Sequence, residues 1–199
     1  MRMQVIELNC PGCGARVSTG QSECEYCGKP IIISSFSSVA SMPLPMVNKY
    51  ASSYRKTLEE NPDNMAVNKS IAMCYLMLKQ YERALPAFEK AMEDNFEDSE
   101  PFFYAAVCRL NGERPFRQRK DTVERILTDV NSAIMIEGRG IYYYFKAYVL
   151  YDYYFNKRLR ASETYQDALA NAKAAGVANA DLDMLLKLDG VVAAPALQI

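Results

Sequence analysis

The apolar positions change their period along the chain. Residues 5–8 (VIEL) and 31–33 (III) are short apolar runs that predict two strands flanking a turn-rich segment. Residues 34–46 (SSFSSVASMPLPM) are rich in Ser and hold Pro43 and Pro45, the composition of a linker. Phe36 and Val39 leave open that part of it docks on a neighbour. From Val47 onward the pattern is helical. Asp181–Leu188 reads as a capping helix, and Val191–Ile199 has no period and is expected to fray. The predicted organisation is a ribbon over 1–33, a linker over 34–46, a helical domain over 47–190 and a flexible tail over 191–199. The fold class is mostly α, with short β strands only in the ribbon.

The helical region repeats itself. Within Met65–Asp98, Ala72, Cys74 and Leu76 are followed 34 residues later by Ala106, Cys108 and Leu110. Ala84, Phe88 and Ala91 set a second spacing that returns as Ala161, Tyr165 and Ala168. The small residues let two antiparallel helices approach, and the ring fills the next gap. This pattern resembles the tetratricopeptide repeat (TPR), an α-solenoid of helical hairpins. Tyr75 stands at the family's aromatic position and Pro62 at its inter-repeat turn, while Asn68 replaces the preferred Trp. Against the family's period, the unit from Ser99 is about seven residues too long, at Gly112–Asp121. The unit from about Gly140 is about two residues too long, near Asn156–Arg158. Cys74 and Cys108, equivalent in the repeat, are expected to be buried and unpaired with each other.

The other four cysteines form two C-x-x-C-G pairs: Cys10, Cys13 and Gly14, then Cys24, Cys27 and Gly28. Two residues between thiolates let one tight turn aim both sulfurs at one ion, and the glycine supplies the positive φ such a turn often needs. Two such turns predict one tetrahedral, structural Zn²⁺ held by Cys10, Cys13, Cys24 and Cys27. The alternatives are two disulfides or four free thiols, and a reducing compartment disfavours the former. A segment this short cannot bury enough apolar area to fold alone, so the metal is expected to supply the folding free energy.

Composition narrows the chemistry. Of 199 residues, 23 are Lys or Arg, 24 are Asp or Glu, and none is His. Without His there is no Ser-His-Asp or Cys-His pair and no His-ligated catalytic metal. There is no Gly-rich phosphate loop either, so the chain is read as a non-enzyme. A formal net charge of -1 argues against a non-specific nucleic-acid binder. No apolar run reaches the roughly 20 residues of a membrane span, and the start lacks the apolar core of a signal peptide. The expectation is a cytoplasmic chain.

A short four-cysteine ribbon followed by TPR-like hairpins is similar to small bacterial zinc-ribbon TPR proteins. That resemblance implies a protein-interaction adaptor, with a peptide or protein partner in the concave groove and the ribbon structural or a second docking module. In the family's groove positions stand Phe103, Tyr104, Tyr144, Tyr148 and Tyr151, an aromatic set that does not resemble a carboxylate clamp. The stretch Ile141–Phe155 holds too many tyrosines for one helix face, so these rings are either a buried central helix or a partner surface. Arg114, Arg117, Arg119 and Lys120 lie in the insertion, either as a solvated loop or as an anionic docking patch. The alternative function is a nucleic-acid-associated regulator using the ribbon and this Arg-rich loop. Oligomeric state stays open.

Overall fold

The computed structural model describes residues 5–93 and 95–198. It is mostly helical, at 59%, with nine α-helices among the described residues and one two-stranded sheet. The chain divides into two compact units, Met1–Asn95 and Phe96–Ile199. Residues 1–4 of the ribbon range and Ile199 of the tail lie outside the described residues.

The first unit opens with β1 (Glu7–Asn9), antiparallel to β2 (Arg16–Ser18), with Leu8 opposite Val17 on the buried face. Residues 31–33, read above as a strand, are not one. Ile31 and Ile33 are nonetheless fully buried, because their partners are helices rather than another strand. Four helices follow: α1 (Phe36–Ala40), α2 (Leu44–Glu60), α3 (Met65–Met77) and α4 (Tyr81–Met92). The segment read as a linker therefore contains a helix. Phe36 and Val39, one turn apart, are its buried residues, and α1 packs on α3. Asn64 caps α3 by accepting the Val67 amide at 3.1 Å. Asn68 is buried and donates to the carbonyls of Pro62 (2.8 Å) and Asn64 (3.1 Å), which fastens the turn before α3. Ala72, Cys74 and Leu76 from α3 and Ala84 and Phe88 from α4 are completely buried, and α3 packs on both α2 and α4.

The second unit holds α5 (Glu100–Cys108), α6 (Lys120–Ile136), α7 (Gly140–Val149), α8 (Tyr165–Ala175) and α9 (Asn179–Leu186). At its N-terminus α7 passes so close to the Gly176 carbonyl that a Cβ on Gly140 would collide with it. Beyond Val149 the helix widens into a π segment, Leu150–Phe155. Asn156 donates to the Tyr151 carbonyl (3.1 Å) and Leu159 to that of Tyr154 (2.8 Å), both five residues back. Past this widened turn the chain bends at a left-handed Arg158, φ 57°. Thr164 and Asp167 form a reciprocal capping box that starts α8. Residues 191–198, read as a fraying tail, dock on the unit instead. Val191 and Leu197 are buried, the short turn Pro195–Leu197 packs on α7, and Tyr148 donates its hydroxyl to Gly190 O at 2.8 Å.

Candidate metal centre

Each Cys-x-x-Cys loop is a copy of the other, 14 residues on. Gly14 N–H donates to Cys10 O and Gly28 N–H to Cys24 O, both at 2.8 Å. Cys10 N–H then reaches Ala15 O at 2.7 Å, and Cys24 N–H reaches Lys29 O at 2.9 Å. Gly14 and Gly28 turn the chain at φ 88° and 63°, the left-handed region that a Cβ disfavours. This local geometry is why the doubled motif folds the same way twice.

The two loops face each other and bring the sulfurs of Cys10, Cys13, Cys24 and Cys27 within 4.8 Å of one another. Cys10 Sγ lies 3.7 Å from Cys27 Sγ, and Cys13 Sγ lies 3.7 Å from Cys24 Sγ. A disulfide needs about 2.05 Å, so these are not bonded pairs. A tetrahedron of thiolates around zinc, with Zn–S near 2.3 Å, has edges of about 3.8 Å. The donor set therefore fits a tetrahedral zinc. The thiols also discourage one another. Burial raises the Cys10 thiol, but the Cys13 and Gly12 amides and the neighbouring thiols outweigh it and bring it to about 7. For Cys27 the Lys29 amide pulls the other way, yet desolvation and the neighbouring thiols push it up to about 12. Four thiolates crowded together need a cation among them, and a dication compensates the charge that otherwise keeps Cys27 protonated.

The ribbon is wired to the helices of its own unit. Tyr50 and Tyr54, one turn apart on α2, donate to Pro30 O (3.0 Å) and Ile31 O (2.7 Å). Ser53 Oγ donates to Asn9 O at 3.0 Å, and Lys49 Nζ reaches Gly12 O inside the first loop. From α3, Ser70 Oγ accepts the Ile33 amide at 3.0 Å. Burial holds the Tyr54 phenol well above its usual range, so it stays a donor. These second-layer residues escaped the sequence reading. The Tyr50–Tyr54 spacing was visible, but nothing local says where a hydroxyl will point.

Within the aromatic set, Phe103 and Tyr104 meet edge-on at 5.0 Å, and Tyr151 lies in a separate cluster. Phe103 on α5 packs against α7, with ring centroids 4.6 Å from Tyr142 and 5.6 Å from Phe145. Phe103, Tyr104, Tyr144 and Tyr148 are buried, Tyr148 to 1% exposure, so in this conformation they pack as the core of the second unit. Tyr151 is half-buried, stacked on Phe155 at 5.5 Å with Tyr165 edge-on at 5.1 Å.

The basic loop is charge-balanced. Arg114 pairs with Asp152, Arg117 with Glu113 (2.8 Å), Arg119 with Asp121 (3.7 Å) and Lys120 with Glu124 (3.5 Å). Asp152, on the π segment, is buried and also accepts the Phe116 amide at 2.8 Å. Arg114 is thus an anchor that ties the insertion to the π segment rather than a free cation. A lone acid in the run IYYYFKAYVLYDYYF was the sequence signal for it.

Cys74 and Cys108 are both buried and free. Burial pushes the Cys74 thiol up to about 12 and the Cys108 thiol higher still. No helix among the described residues is long and apolar enough to cross a membrane. No family model matches the chain, and no curated protein matches it.

Proposed function

We propose that the chain is a non-catalytic cytoplasmic adaptor: one structural zinc at Cys10, Cys13, Cys24 and Cys27 staples a ribbon onto TPR-like hairpins that hold a protein partner. The observation that carries this reading is the closed four-sulfur cluster wired into α2 and α3. Four thiolates fill a tetrahedral shell and leave no position for a substrate, so a metal there serves shape rather than turnover. The TPR-like part is supported by the repeat residues. Ala72, Cys74, Leu76, Ala84, Phe88, Ala106, Cys108, Leu110 and Ala168 are all buried, whereas Ala161 is exposed ahead of α8 and Tyr165 is half-buried, so the second spacing does not return as a helix pattern. With Phe103, Tyr104, Tyr144 and Tyr148 taken up in the core, the partner surface is sought elsewhere.

Elemental analysis of the purified protein is expected to give one zinc per chain. A value near zero with the ribbon still folded overturns the staple. Crosslinking in the native cell followed by mass spectrometry is expected to identify a protein partner. The nucleic-acid alternative draws less support, since Arg114, Arg117, Arg119 and Lys120 each face a carboxylate. Salt-dependent binding to mixed RNA and DNA would favour it instead.

A further inference from the structure

Tyr151, Phe155 and Tyr165 form a ring cluster on the surface of the second unit. Tyr151 and Phe155, both on the π segment, stack with centroids 5.5 Å apart and planes at 18°. Tyr165, the first residue of α8, meets both edge-on at 5.1 Å. Unlike Tyr144 and Tyr148, these rings are open to solvent. Phe155 is 55% exposed, and the two tyrosines are half-buried. Neither tyrosine hydroxyl has a hydrogen-bond partner among the described residues, and neither is shut away from solvent.

The chain then turns back beside the rings. Arg158 N–H bonds Phe155 O at 3.0 Å, and Leu159 N–H bonds Tyr154 O at 2.8 Å. The turn carries three cations, Lys157, Arg158 and Arg160, around a Leu159 that is 47% exposed. Lys157 is engaged over the Tyr153 ring at 4.0 Å. Arg158 and Arg160 are exposed, and neither has an ion-pair partner among the described residues. The carboxylates that follow are already taken, Glu163 by Lys146 and Asp167 by the capping box of α8. The rings are therefore rimmed by uncompensated positive charge, in contrast to the insertion, whose cations each face a carboxylate.

We propose that this patch docks a short acidic segment of a partner protein, with one apolar or aromatic anchor packed on Phe155 and carboxylates held by Arg158, Arg160 and the two tyrosine hydroxyls. The unpaired guanidiniums call for an anionic occupant. The rings call for a peptide, since they offer contact area at low entropic cost and their hydroxyls are directional donors. A bilayer fits less well. Only Phe155 and Leu159 stand out to insert, and stable attachment needs more apolar area than two side chains give. This proposal rests on the adaptor reading and names the place and chemistry of its partner.

The test uses the zinc-loaded full chain and a phage-displayed dodecapeptide library. Enriched peptides are expected to combine Phe, Tyr, Trp or Leu with more than one Asp or Glu. Phe155→Ala and Arg160→Glu are each expected to weaken the enriched peptides at least about tenfold, the scale of one lost anchor or charge contact. Arg55→Glu, the same reversal at an exposed position of α2, is expected to leave their binding unchanged. Arg160 is exposed and outside any helix, so Arg160→Glu keeps the fold and decides alone if Phe155→Ala lowers the melting temperature sharply. Enrichment without acidic residues, or binding indifferent to Arg160→Glu, overturns the proposal. Cosedimentation with phosphatidylserine vesicles that Arg160→Glu abolishes, with no peptide enriched, also overturns it and assigns the patch to lipid. A cellular partner that crosslinks equally to wild type and Arg160→Glu removes the patch while leaving the adaptor reading standing.

Discussion

Tyr148 shows what one ring does in the second unit. Its side chain is 1% exposed, and its hydroxyl holds Gly190 O. Tyr148→Ala is expected to cost about 3–5 kcal/mol, as truncation of a packed aromatic does, measured by denaturant unfolding. Tyr151→Ala, at a half-buried ring, is expected to cost less than about 2 kcal/mol. Equal small losses would put Tyr148 back on a surface. Burial foremost, then the Asp152 charge, pushes the Tyr148 phenol to about 12. Below pH 10 the phenol keeps its proton both folded and unfolded. Between pH 10 and about 12 only the unfolded chain releases it, so stability falls as pH rises through that window. Melting temperatures at pH 9 and pH 11 are expected to show the drop, and Tyr148→Phe is expected to reduce it. The sequence showed that seven tyrosines in Ile141–Phe155 cannot share one face, yet left core and interface equally open. The decision lay with Phe103, Gly190 and Leu197, residues about 40 or more positions away that no local pattern connects to Tyr148.

Elements were legible wherever their cause is local. The metal loops are set by two intervening residues and a glycine, and both fold as the spacing requires. The segment 34–46 was misjudged because its helix depends on Phe36 and Val39 finding partners that its own Ser-rich sequence does not announce. Residues 31–33 failed as a strand for a similar reason: the groups that hold them are the Ser22 carbonyl, Tyr54 and Ser70. The π segment Leu150–Phe155 was not legible, because its five-residue hydrogen bonds leave no mark in the residue pattern. Two substitutions test the element contacts. Gly140→Ala forces a methyl into the Gly176 carbonyl and is expected to destabilise by at least about 2 kcal/mol, read from thermal unfolding. Arg114→Met leaves the Asp152 carboxylate buried beside the Phe116 amide alone. A fully buried broken pair costs roughly 3–5 kcal/mol, and the half-exposed Arg114 brings the expectation down to roughly 2 kcal/mol. A loss below about 0.5 kcal/mol would mean that the insertion is held by other contacts.

At the scale of the molecule, the proposed zinc is expected to hold the ribbon against α2. Tyr50, Tyr54 and Val47 are completely buried, and the two hydroxyls end on ribbon carbonyls. Chelation or Cys13→Ser is expected to release the ribbon and then loosen α2, because its buried face loses its cover. Hydrogen exchange is expected to show lost protection across residues 6–60 and retained protection in α7, whose core is built within its own unit. Unchanged protection in α2 after metal loss would show that the helix holds without the ribbon.

The docking of the ribbon on α2 also bears on how the chain is made. Cys10 to Cys27 span few residues, so the loops can close on an ion while α2 is still inside the ribosome. The partners in hydrogen bonding, Tyr50, Tyr54 and Ser70, emerge only afterwards and meet a finished surface. When zinc is scarce during translation, the same helices emerge with Val47, Tyr50 and Tyr54 uncovered, the kind of apolar face that chaperones and proteases recognise. The cellular amount of this protein is then expected to track zinc supply at the moment of synthesis, even when its transcript does not change. A pulse-chase comparison in zinc-limited and zinc-replete cells would read this as a shorter half-life of newly made chains only.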